Sequence, residues 1–135
     1  MLVFTDTIVP LGLGILIYLI FRDTSSLLMN EYLDLPTSNL YVEGLADRNI
    51  ITRAIAYNLP QGLWVFAGTR FFVILWRDTL TVAARIWILL PLLLSVTHEV
   101  SQLYQLLPGW YDVYDLMISF VGFLSANGLI CLKKK

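Results

Sequence analysis

Four apolar stretches, each close to the length that crosses a bilayer as a helix, leave this chain few ways to fold. They cover residues 2–21, 59–76, 86–107 and 115–132. A helix needs about 20 predominantly apolar residues to cross the hydrocarbon core. Backbone polar groups in that core must be satisfied within the segment, so such stretches are helical. Composition agrees. The chain is 58% hydrophobic and only 14% charged, against about 25% charged in soluble domains. The expectation is an all-α fold: a four-transmembrane-helix bundle, one integral membrane domain over residues 1–135, with short amphipathic helices in the 22–58 loop.

Each stretch carries its own marks. The first could be mistaken for a signal peptide, which needs basic residues before the apolar run. Here the first charge is Asp6 and Phe21-Arg22-Asp23 follows the run, so a retained helix is expected. Pro10, Gly12 and Gly14 point to a kink or a close helix approach. In the 22–58 loop, Asp23, Thr24 and Ser25 offer an N-cap to an amphipathic run through Leu27, Leu28, Tyr32 and Leu33. Asp47 to Asn58 reads as a second short helix with Ile50, Ile51, Ala54 and Ile55 on one face. The second span is about 18 residues, ~27 Å. Pro60 suits its first turn, and it carries Arg70.

Arg77, Arg85 and Lys133-Lys134-Lys135 fall on one side of the spans, whereas Arg22, Arg48 and Arg53 are spread through the long loop on the other. The positive-inside rule then puts both termini in the cytoplasm. Trp76 and Trp87 would mark the inner interface. Trp64, Tyr104, Trp110, Tyr111 and Tyr114 would mark the outer one.

The third span turns polar along one stripe. Ser95, His98, Glu99 and Gln102 stand at i, i+3, i+4 and i+7, one helical face. After the Pro108-Gly109 turn, Asp112 and Asp115 open the last span, and Ser119, Gly122 and Ala126 continue it as a stripe of small residues. Ionisable groups at membrane depth are costly and mark sites or buried pairs. The candidate ligand-binding set is His98, Glu99, Gln102, Asp112 and Asp115. Glu99 and Arg70 are expected about 12 and 16 Å from the outer end of their helices, which suggests an Arg70–Glu99 buried ion pair.

Three readings of this cluster compete. It can be interhelical hydrogen-bond glue, an outward-facing pocket for a polar head group or for acid–base chemistry by His98 or Glu99, or part of a proton path. The last is thin, with no matching acids expected in the inner half. A Ser-His-Asp set can be drawn from Ser95 or Ser101, His98 and Asp112, but no nucleophile elbow accompanies it. Enzymatic activity therefore stays open. One cysteine excludes an internal disulfide, and one histidine excludes a multi-His metal site, so neither metal nor cofactor is expected. With no basic patch interleaved with aromatics, nucleic acid is not an expected partner. Membrane lipid is. The alternative is a non-catalytic structural or accessory subunit of a larger membrane complex, with other membrane subunits as partners.

Glu99-Val100-Ser101-Gln102, then Gly109, then Asp112-x-x-Asp115 with Gly122 seven positions on, resembles the second half of the VanZ-like membrane proteins, over about residues 90–126. Ser119 stands where that family usually has Asn. Leu59-Pro60-Gln61-Gly62-Leu63-Trp64 stands in place of its earlier Asp-Lys…His signature. The resemblance implies a small several-span protein of the bacterial cytoplasmic membrane that acts near cell-envelope lipids. The family's namesake is associated with glycopeptide (teicoplanin) resistance. Taken with the polar cluster, the leading expectation is a site for a lipid-linked or polar head group, lined by His98, Glu99, Gln102, Asp112 and Asp115.

Overall fold

The computed structural model describes residues 4–21, 42, 44, 48–79 and 81–133. Among these there is helix and no strand. A π-helical turn, Phe4–Ile8, leads directly into α1, Val9–Phe21. Then follow α2, Ile50–Tyr57, α3, Leu59–Leu75, α4, Val82–Leu103, and α5, Val113–Lys133. The short helix expected near residues 47–58 is therefore α2. The amphipathic run expected at Leu27–Leu33 lies outside the described residues.

Of the described helices, α4 is long and apolar enough to cross a membrane, and Thr5–Phe21 is a shorter apolar helix. The boundaries of α4 differ from the 86–107 expected. It starts four residues earlier because Thr81 caps it: the Thr81 hydroxyl accepts from the Ala84 N–H at 3.2 Å. It stops four residues earlier because Gln105 adopts a left-handed φ of 57°. The Leu106 N–H then reaches back to the Ser101 carbonyl (2.8 Å) and the Gln105 N–H to that of Gln102 (3.0 Å). This is a Schellman ending with glutamine in the place usually taken by glycine.

α3 is the hub and touches α1, α2, α4, α5 and the π turn. It accordingly buries residues on more than one face: Pro60, Gly62, Val65, Ala67, Thr69, Arg70 and Val73. Its tightest crossing is with α5. A Cβ on Gly122 would lie 2.4 Å from the Gly62 carbonyl oxygen, and one on Gly62 would lie 2.8 Å from Ile118. Gly62 faces Ile118 and Gly122, and Phe66 also meets Gly122. Residue numbers thus climb together, and the two helices run parallel. Gly122 and Ala126, four apart, make the small-residue stripe that allows backbones this close. On the other flanks, Gly68 admits Pro91 of α4, whose ring would lie 3.1 Å from a Cβ there. Gly14 of α1 admits the Trp64 indole. Gly12 meets nothing, so of the two glycines expected at a close approach in the first span it is Gly14 that makes one.

The interior is small and polar, and the bulk lies outside. The largest fully buried side chains are Glu99, Thr69 and Ser119, and much of the buried apolar set is alanine and valine. No described aromatic side chain is buried. Leu13, Leu16, Leu75, Ile86, Leu93, Leu94, Phe120 and Leu124 are all exposed on the outer faces of the helices.

Candidate functional site

Two polar clusters stand at opposite ends of the bundle. The first gathers where α2 ends, α3 and α5 begin and α4 finishes. Glu99 points into the bundle and is 2% exposed. Its Oε2 accepts the backbone N–H of Asp112 at 3.2 Å, and its Oε1 lies 3.6 Å from His98 Nδ1. Asp112 caps α5: its Oδ1 accepts the Tyr114 N–H at 2.8 Å, and its carbonyl accepts that of Asp115 at 3.1 Å. Carboxylates at an N-cap and in a first turn are also favoured by the helix dipole. Asn58 spans the two aspartates. Its Nδ2 donates to Asp112 Oδ2 at 3.2 Å and to Asp115 Oδ1 at 2.8 Å.

Below them runs a chain of hydroxyls. Gln61 Nε2 donates to Ser95 Oγ (2.9 Å), Ser95 and Ser119 share a bond of 2.8 Å, and Ser119 donates to the Asp115 carbonyl (2.7 Å). The directions are fixed by elimination. Ser119 spends its proton on Asp115, so Ser95 must donate to Ser119. Ser95 therefore has no proton to offer His98, whose side chain is half-exposed on the rim. Ser101 donates instead to the Thr97 carbonyl at 2.7 Å. The Ser-His-Asp set does not assemble.

Gln102 and Gly109 form a separate seam. Gln102 Nε2 donates to the Pro108 carbonyl at 3.3 Å. Gly109 has φ of 128°, and a Cβ there would sit 2.2 Å from that same amide nitrogen. Gln102 thus holds the turn. Of the expected site residues, Glu99, Asp112 and Asp115 come together, His98 edges the group and Gln102 braces its border. Asn58 was not foreseen; only its place just before Leu59-Pro60 hinted at a capping residue.

The second cluster corrects the expected Arg70–Glu99 pair. Arg70, 4% exposed, forms its ion pair with Asp6 of the π turn and donates from Nη1 to the Ala126 carbonyl at 3.2 Å. Helix length explains the difference. With α4 ending at Leu103, Glu99 stands about 6 Å from that end, whereas Arg70 lies about 16 Å from the start of α3 at Leu59. The two charges are offset by about 10 Å along the bundle. Asp6 also overturns the expectation that the half of the bundle away from Glu99 lacks acids.

The first cluster is rich in acceptors: three carboxylates against the amides of Asn58 and Gln61 and one histidine. It suits a ligand that donates hydrogen bonds, hydroxyl or amine, more than a phosphate. No set of three or more His, Cys, Asp or Glu among the described residues converges as metal ligands. Comparison with protein-family models, curated proteins and solved structures finds no match to this chain.

Asn58 gives a direct check on the cluster. Asn58→Ala removes the donor shared by two carboxylates, and hydrogen bonds to charged groups contribute about 1.5–3 kcal/mol. Asn58→Asp should cost more still, by adding a fourth carboxylate to the cluster. Chemical denaturation of the purified protein reads both. Equal stability of Asn58→Ala and the parent would show that the aspartates do not depend on this amide.

Proposed function

We propose that this chain is a four-span protein of a bacterial cytoplasmic membrane, with both termini cytoplasmic, whose polar end receives a hydroxyl- or amine-bearing head group, lipid-linked or free, from the outer leaflet. The spans would be the π turn with α1, then α3, α4 and α5. One observation carries the reading: the largest fully buried side chains are a glutamate, a threonine and a serine, while leucine and phenylalanine cover the outside. In water, burial of apolar surface drives folding and puts the bulk inside. In lipid that drive is absent between helices, and small residues and hydrogen bonds hold them together.

Glu99 is the group on which binding would turn. Its carboxylate sits behind the half-exposed His98, beside Asp112 and the Asn58 bridge. The resemblance to VanZ-like proteins points the same way, toward envelope lipids, and rests on Glu99, Gln102, Asp112 and Asp115. No catalytic role is assigned, since neither buried serine has a base to activate it.

Native mass spectrometry of the protein released gently from its own membrane tests the proposal. A monomer or small homo-oligomer carrying a lipid-sized mass, lost in Glu99→Gln while the protein stays folded, is the expected result. A fixed assembly with other polypeptides and no bound lipid would instead make the chain an accessory subunit and reduce the cluster to packing.

A further inference from the structure

α2 is turned inside out. Ile50 is 84% and Ile51 67% exposed, while the residue it buries is Ala56. These isoleucines are not on a loose end. Asn49 Oδ1 accepts the Thr52 N–H at 2.8 Å and the Asn49 N–H donates to Thr52 Oγ1 at 3.1 Å, a reciprocal capping box that fixes the first turn. Eight residues make about 12 Å of helix, too short to cross a bilayer. Asn58, immediately after α2, bonds the two aspartates at the start of α5, so α2 lies at the level of the turn that carries Trp110, 94% exposed, with Tyr104 and Tyr114 exposed near it. Exposed indole and phenol rings gathered at one end of a bundle are what a membrane–water interface selects. Arg48 and Arg53, both exposed, carry the charge that the phosphate layer complements.

We propose that α2 is an interfacial anchor: Ile50 and Ile51 enter the boundary between the phosphates and the acyl chains of the leaflet nearest the polar cluster, with Arg48 and Arg53 among the phosphates. The inference rests on the membrane reading above and adds a surface which that reading does not require. A water-facing connection would present the opposite face.

The test uses nitroxide labels on the full-length protein in phosphatidylcholine vesicles, with Cys131→Ser as background. Labels go at Ile51→Cys, at Leu93→Cys as a mid-helix control and at Asp78→Cys as a control at the far end. Power saturation compares access to oxygen, which partitions into lipid, with access to a water-soluble nickel chelate. The expected result is an oxygen-to-nickel ratio at position 51 several-fold above that at 78 and on the side of position 93. Nickel access at 51 equal to that at 78, with 93 still in lipid, overturns the anchor and leaves the membrane reading standing. Protection of 51 from both reagents means a protein partner or a second copy covers α2, and it overturns the anchor as well. Nickel access at 93 sinks both. If Ile51→Cys fails to fold, a label at the exposed Ala54 replaces it.

Discussion

Removing Asp6 from the Asp6–Arg70 pair should destabilise the fold by about 3–5 kcal/mol, because it strands the buried charge of Arg70. The exposures of 4% for Arg70 and 18% for Asp6 keep water screening low. The guanidinium is also committed elsewhere. It holds the Ala126 carbonyl, and its Nε has no partner of its own, so without Asp6 nothing compensates its charge. Replacing both residues together, as Asp6→Asn with Arg70→Met, should recover most of the loss, since a buried pair is often no better than apolar groups of its own volume. A double-mutant cycle in a denaturation assay measures the coupling. Coupling between Arg70→Met and Glu99→Gln larger than that between Arg70→Met and Asp6→Asn would restore the pairing that the spacing of charges first suggests.

Gly122→Ala should be the most damaging single methyl that can be added where the helices cross. Its Cβ would meet the Gly62 carbonyl at 2.4 Å, and a backbone oxygen cannot swing aside. α3 and α5 would have to separate along their whole contact. Overpacking of this kind costs about 1–3 kcal/mol and sometimes more. On the facing side of the same crossing, Gly62→Ala would meet an Ile118 side-chain atom at 2.8 Å and its carbonyl oxygen at 3.0 Å and should cost somewhat less. Gly68→Ala is milder, at 3.1 Å from the Pro91 ring. Gly12→Ala and Gly128→Ala meet nothing within 4 Å, and better helix propensity should make them neutral or stabilising by up to about 1 kcal/mol. Thermal unfolding of the five variants gives the ranking. If Gly122→Ala unfolds no earlier than Gly12→Ala, the crossing is looser than described.

The helices could be read from the sequence because apolar runs and their periodicity are local. So could the polar stripe of α4, which delivers Ser95 and Glu99 inward, and the small stripe of α5. What could not be read are features settled by a partner or by a single dihedral. The end of α4 depends on Gln105 taking a left-handed conformation, with no glycine to announce it. The partner of Arg70 depends on which helices are neighbours. Asp6 stands near the start of its helix and Arg70 near the end of α3, so antiparallel packing of α1 on α3 brings them level. That packing is not written in either segment alone. Asn58 was hidden for the same reason: its use lies in two aspartates more than fifty residues away.

The placement of Arg70's partner also bears on how such a chain can be made. Asp6 precedes Arg70 by 64 residues and Ala126 follows it by 56. In a chain synthesised from its N-terminus and, as proposed above, inserted into a membrane, α5, the helix packed closest on α3, arrives after it. Arg70 would otherwise wait in the bilayer as an isolated cation, a costly state. The carboxylate it needs has already been delivered by the π turn that leads into α1, so on that reading the α1–α3 pair is charge-balanced before α4 and α5 are made.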